Sequence, residues 1–383
     1  MKSAYVAAAA VSALASTLSA LPAHAGIEDA STSFTRRLAP EGASVPTHRN
    51  PAATTDSAAT SGAAVTYRIF GDTRINTAIA ASQDRWPDAG QENAAKAVVL
   101  SRSNDYADAL GGSALAGAAE APLLLTPTGA LHADVEAEIV RVLSPGGTVY
   151  VLGGESALVE FVHRRLGELG YQVVRLQGAD RYATSVEIAK QTAALAPGGV
   201  PQFVFATTGL NFPDGLAAGA TAGGYSASVV LTRDSALPGT VKTYLDQMVA
   251  GQIPVLAVGG PAARADFPWW GAAVGNDRFQ TAQILAEAFW GDPGITDDNP
   301  AIIGLSTGLN WPDALAGGAY VAGGGPLLLS RTDSLPDSTK TAIRDIVAAG
   351  GDAPVQAGVL FGGPVALTDD VLAEFDAILN PTP

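Results

Sequence analysis

The chain contains no cysteine. No disulfide can staple it, and thiol nucleophiles and thiolate metal sites are excluded as well. Histidine is scarce, with four residues; His24 and His48 lie near the start, and His132 and His163 belong to no repeated pattern. No H-E-x-x-H is present, so a zinc protease has no support, and no G-x-x-x-x-G-K-[ST] phosphate loop occurs. Ser113 in GGSALAG lacks the glycine two residues on that a nucleophile elbow needs. Basic residues are in deficit, 22 Lys and Arg against 37 Asp and Glu, for a net charge of −15. That balance argues against nucleic acid as a partner and against loose adhesion to an anionic polymer. Any such binding needs local, oriented cations. Past the N-terminal segment no stretch reads as a membrane span. The uncharged runs from Gly215 to Thr232 and from Ala314 to Ser330 are rich in glycine and alanine, and read as a small-residue helix followed by a buried strand.

What is present begins with a secretory signal over residues 1–25. Lys2 supplies the positive end, an uncharged run from Ser3 to Pro22 the apolar centre, and Ala23-His24-Ala25 a small-residue cleavage site. Export is expected, and loss of Lys2 takes the net charge from −15 to −16. Residues 26–66 are rich in Ala, Ser, Thr and Pro, without sustained periodicity, and read as a disordered linker. The remainder has the apolar content for folded cores, at 47% hydrophobic residues overall.

That remainder is one unit written three times. GDTRINTA at Gly71 returns as GADRYATS at Gly178 and GNDRFQTA at Gly275. SNDYADALGG at Ser103 returns as GLNFPDGLAAG at Gly209 and GLNWPDALAGG at Gly308. LLLT, VVLT and LLLS follow, and each unit closes on an apolar run ending in Gly-Gly, at Gly154, Gly260 and Gly363. Arg74, Arg181 and Arg278 are 107 and 97 residues apart. Asp108, Asp214 and Asp313 are 106 and 99 apart. Modules of about 100 residues are domain-sized, and they are expected at 67–174, 175–274 and 275–383. Within each, short apolar runs alternate with helical patterns, which predicts an α/β fold with a mostly parallel sheet and helices on both faces. Binding surfaces of open α/β sheets lie at the carboxyl ends of the strands, where the Gly-Gly turns fall.

Three constellations recur. The arginine segment reads Gly-x-x-Arg-x-x-Thr, with Thr77, Thr184 and Thr281 three residues after the arginine. A guanidinium fork matches carboxylate or phosphate oxygens, so Arg74, Arg181 and Arg278 are candidate ligand contacts. The alternative is a structural arginine pinning one module to another or to an aspartate. In the second segment Asp105, Asn211 and Asn310 precede Asp108, Asp214 and Asp313 by three residues. That spacing suits a helix cap followed by an acid in the first turn, with Pro213 and Pro312 between. Capping accounts for these residues; direct ligand contact is the second reading. Tyr106, Phe212 and Trp311 sit between cap and acid, either to stack on sugar faces or, the better-supported reading, to join modules through apolar contact. No cofactor and no metal site is expected, and threefold repetition suits multivalent binding better than one catalytic centre.

RLQGADRYATSVEIA, FPDGLAAG and VLAVGG resemble the cell wall-binding repeat type 2 family, and the resemblance runs from Tyr67 to about Asn380. It implies three Toprim-like modules around a pseudo-threefold axis in a secreted Gram-positive protein. It implies noncovalent binding of an anionic wall polysaccharide at the cell surface, and no enzyme. The motif positions carried over are Arg74, Arg181 and Arg278, and Asp108, Asp214 and Asp313. Module one departs at Ile75, where Tyr182 and Phe279 stand in the others, and at Tyr106-Ala107, which lacks the proline. Module three has FPWWGAAVG where a strand-like lead-in is expected, with Trp269-Trp270 as a candidate sugar platform or intermodule plug. Such triplets usually accompany an enzyme or adhesin domain; here wall-binding modules alone are expected. Two rival readings stand beside this one: a wall-polymer hydrolase or transferase using a carboxylate pair, and a surface-layer subunit that self-associates through its aromatic edges.

Overall fold

A computed structural model of the protein describes residues 63–290, 300–350 and 354–381. The expected signal segment and most of the expected linker lie outside the described residues. The chain opens with β1 (Val65–Ile69), α1 (Arg74–Arg85), β2 (Ala97–Arg102), α2 (Gly112–Ala118), β3 (Leu123–Thr126), α3 (Ala133–Val142), β4 (Thr148–Leu152), α4 (Glu160–Glu168) and β5 (Gln172–Leu176). It continues through α5 (Arg181–Leu195), β6 (Val204–Thr208), α6 (Pro213–Gly224), β7 (Ser228–Thr232), α7 (Gly239–Ala250), β8 (Val255–Val258), a short α8 (Gly260–Ala263) and β9 (Gly271–Ala273). It ends with α9 (Arg278–Trp290), β10 (Ile302–Thr307), α10 (Pro312–Val321), β11 (Leu327–Ser330), α11 (Asp337–Ala349), β12 (Ala357–Phe361) and α12 (Asp369–Leu379).

Three four-stranded sheets result, ordered β3-β2-β4-β5, β7-β6-β8-β9 and β11-β10-β12-β1, with every pairing parallel. The apolar runs that lack alternation are buried on both faces, as parallel strands must be; β3, β7, β10, β11 and β12 have no exposed position. The sheets are out of step with the written repeat. Each finishes on the strand that leads into the next unit: β5 completes the first and β9 the second. The third takes β1 from the start of the chain, with Ile69 in register with Phe361, so the chain closes into a ring. FPWWGAAVG does supply a strand, contrary to the expectation for module three. It is the three-residue β9, paired with β8 through main-chain bonds that small residues satisfy as well as large ones.

The small-residue helices α2, α6 and α10 pack against one another at the centre of the ring. Their composition sets the distance of approach. A Cβ on Gly117 would lie 2.6 Å from the Cα of Gly223, so two backbones touch where any other residue would separate them. Ser113, weighed above as a nucleophile, is buried here and donates to the Leu315 carbonyl at 3.1 Å. Helices α1, α5 and α9, which begin with the motif arginines, bridge neighbours. Each packs on the central helix of the preceding unit (α10, α2, α6) and on the edge strand of its own sheet (β3, β7, β11). Among the described residues no helix is long and apolar enough to cross a membrane.

Candidate functional site

The repeated segments meet at three seams, and each seam draws on two modules. In the second module the chain leaves β8 at Gly259 with φ +86°, and a Cβ there would lie 2.0 Å from Asp214 Oδ2. Only glycine combines that backbone conformation with so close a carboxylate. Gly153 and Gly362 hold the same relation to Asp108 and Asp313, with a Cβ falling 2.7 and 2.8 Å from the carboxylate. Asp214 is hydrogen-bonded by Thr281 and feels the charge of Arg278, both from the next unit. Asp108 meets Thr184 and Arg181 in the same way. Asp313 meets Thr77 and Arg74 across the closure of the ring. The threonine hydroxyls also accept from Gly71, Gly178 and Gly275 N–H at 3.2, 3.0 and 3.2 Å, which fixes the turn into each arginine helix.

The arginines occupy the first position of their helices. The preceding residue is the cap: Thr73 accepts from Asn76 N–H, Asp180 from Tyr182 and Ala183, and Asp277 from Phe279 and Gln280. A cation at that place opposes the helix dipole, so helix stability alone does not account for its choice three times over. Each guanidinium spends one nitrogen on the main chain. Arg74 Nη1 donates to Ser103 O at 2.7 Å, Arg181 Nη1 to Gly209 O at 2.9 Å, and Arg278 Nη1 to Gly308 O at 2.5 Å. Arg74 lies 5.3 Å over the Trp311 ring and Arg278 5.9 Å over Phe212, within cation–π range. The aromatics converge: Tyr106 is 5.5 Å from Phe212 and 6.3 Å from Trp311, centroid to centroid. Trp311 is buried, at 7% exposure, and Tyr106 and Phe212 are half-buried. Tyr106 also donates to Leu210 O at 3.0 Å, tying module one to module two.

Burial raises all three aspartates above the ordinary carboxylate range. Desolvation is the largest cause each time, opposed at Asp214 and Asp313 by the threonine bond and the nearby arginine. Seam one differs, because Arg102 stands where the other modules have Thr208 and Thr307. Its Nη2 lies 2.7 Å from Asp105 and 3.7 Å from Asp108, so this acid has a second cation close by.

The capping expectation needs a correction. Helices α6 and α10 start at Pro213 and Pro312, with Phe212 and Trp311 as caps that make no side-chain bond, and α2 starts only at Gly112. Asn211 and Asn310 instead accept from the adjacent N–H of Phe212 and Trp311. Proline in the first turn moved the helix start one residue on. The side-chain caps are Thr73, Asp180 and Asp277, on the arginine helices, each a Thr or Asp just before a helical period. His132 caps α3 through Nδ1. Trp270 is 52% exposed, while Trp269 packs against the core and donates to Ala265 O. Among the described residues no group of His, Asp and Glu is arranged to hold a metal ion.

The profile of cell wall binding domain 2 (CWB2) matches residues 68–162, 175–266 and 273–372. Among solved structures, Cwp8 from Clostridium difficile is similar with a TM-score of 0.68 and 22% identity, over 82% of this chain and 51% of that one. Cwp6 from the same organism is similar with a TM-score of 0.68 and 18% identity, over 84% and 49%. The N-acetylmuramoyl-L-alanine amidase LytC of Bacillus subtilis is 22% identical over 262 residues, which is 67% of this chain and 48% of that protein. The chain thus spans about half the length of the relatives it matches.

Proposed function

Because the chain belongs to the cell wall binding domain 2 family, we propose that it attaches noncovalently to an anionic polymer of the wall, at the bacterial surface, through the three seam arginines. The observation that carries this reading is the threefold recurrence of one unit. A half-buried aspartate over a glycine turn lies near an arginine at a helix start, one nitrogen of which is bound to a main-chain carbonyl. The remaining face of the fork is left for an oxyanion. Tyr106, Phe212 and Trp311 serve this arrangement by packing the modules and supporting two of the guanidinium planes. The acidic surface repels a polyanion at large, so retention rests on the oriented cations. Three modest contacts on one closed ring give avidity where the polymer spans them.

The reading is noncatalytic. The similarity to an amidase motivates a direct check, release of soluble fragments or reducing ends from purified walls; none is expected above a buffer control. The arginine role is tested with Arg181→Lys and Arg278→Lys, which keep the charge and lose the fork. Each is expected to weaken retention on walls on the order of tenfold, the worth of about one charge-assisted hydrogen bond. Folded variants that pull down as the parent does would remove the arginines from the account.

A further inference from the structure

We infer that two of the three seams are two-arginine oxyanion sites, formed by Arg181 with Arg233 and by Arg278 with Arg331. The third, at Arg74, is a weaker one-arginine site. The inference rests on the polymer-binding reading above and says where the acid groups of that polymer are held. One glycine organises each pair. Gly209 accepts from Arg181 Nη1 through its carbonyl, and its N–H donates to Thr232 O at 2.8 Å. Arg233 is the next residue after Thr232, and its guanidinium lies 5.0 Å over the ring of Tyr182, the residue beside Arg181. Gly308 repeats the arrangement, accepting from Arg278 and donating to Ser330 O at 2.8 Å. Arg331 follows, 5.3 Å over the Phe279 ring.

Both second arginines are exposed, and each stacks on the aromatic that follows the first arginine, a ring lying against the same glycine that the first arginine bonds. Arg233 comes within only 4.0 Å of Asp180, a contact that water screens. Such a pair offers two planar forks to one phosphate or carboxylate group. At the Arg74 seam Ser103 makes the same two main-chain bonds, to Arg74 and to Thr126 O. There the chain supplies Pro127 in place of the second arginine and Ile75 in place of the aromatic that would support it. Cation and platform are present together at two seams and missing together at the third, the pattern of a unit that works as a pair.

The test is cosedimentation with purified native walls. Parallel walls are treated with cold hydrofluoric acid to cleave phosphodiester-linked polymer, or capped with carbodiimide and amine to neutralise carboxylates. These two treatments distinguish the sources of the oxyanion. Arg233→Gln with Arg331→Gln is expected to lower apparent affinity tenfold or more. Arg164→Gln with Arg344→Gln removes the same charge from exposed helix positions and is expected to bind as the parent does. Arg74→Gln is expected to cost less than Arg181→Gln or Arg278→Gln. If Arg181→Gln with Arg278→Gln loses binding while the Arg233 and Arg331 double variant keeps it, the pairing is overturned and the broader reading survives. If neither double variant loses binding, both fall. Equal losses from the Arg164 and Arg344 control would assign the effect to bulk charge and overturn the pairing.

Discussion

A carboxylate half-buried beside glycine and threonine loses hydration that a surface carboxylate keeps, and Asp108, Asp214 and Asp313 are three such groups. Each folded-state pKa is raised, chiefly by desolvation. The stability each aspartate contributes is therefore complete below its unfolded value, about 3.9, and is lost as pH rises through the raised folded value. Asp214→Asn and Asp313→Asn have nothing to titrate at that place. Their melting temperatures are expected to vary less with pH than the parent's across that acidic window; parent-like slopes would assign the linkage elsewhere. Gly259→Ala is expected to destabilise by roughly 1–3 kcal/mol, in chemical denaturation, because its Cβ and Asp214 cannot both be accommodated. The repeats made Arg, Asp and Thr visible in the sequence as a recurring set. What spacing within one repeat does not reveal is that each aspartate works with the arginine and threonine of the next unit. That pairing depends on a long-range seam.

At the scale of elements, the ring rests on two devices. One is the bare contact of α2 and α6, where Gly117→Val places a side chain into the Gly223 backbone. The expected loss is about 1–3 kcal/mol, the cost of overpacking. The other is closure by β1. Arg68 is buried in that strand and donates to the carbonyls of Gly362 and Thr368 at 2.8 and 3.1 Å, beside Asp369. Arg85, at the end of α1, donates to the last carbonyls of α10, those of Ala319, Tyr320 and Ala322. Arg68→Met is expected to cost roughly 1–3 kcal/mol by leaving buried acceptors unpaired; a melting curve unchanged from the parent's would mean that closure contributes little. Alternating apolar runs and helical periods made the α/β class and the parallel sheets legible. The strand exchange was not, since VTYRI carries nothing that ties it to AGVLF, which begins 292 residues on, from Val65 to Ala357, rather than to the sheet it precedes. The Gly-Gly turns were legible as strand ends, and their burden of one aspartate each was not.

For the whole molecule, closure turns three similar modules into one body whose arginines share an end of the ring, around packed aromatics. An excess of acid over base, with a net charge of −15, leaves oriented arginines and not bulk charge to hold a polyanion. The central measurement is cosedimentation of the purified chain with native walls and with matched walls stripped of their secondary anionic polymers. The account predicts binding to the native walls that disappears on stripping. Equal binding to both would contradict it and point to peptidoglycan itself as the ligand.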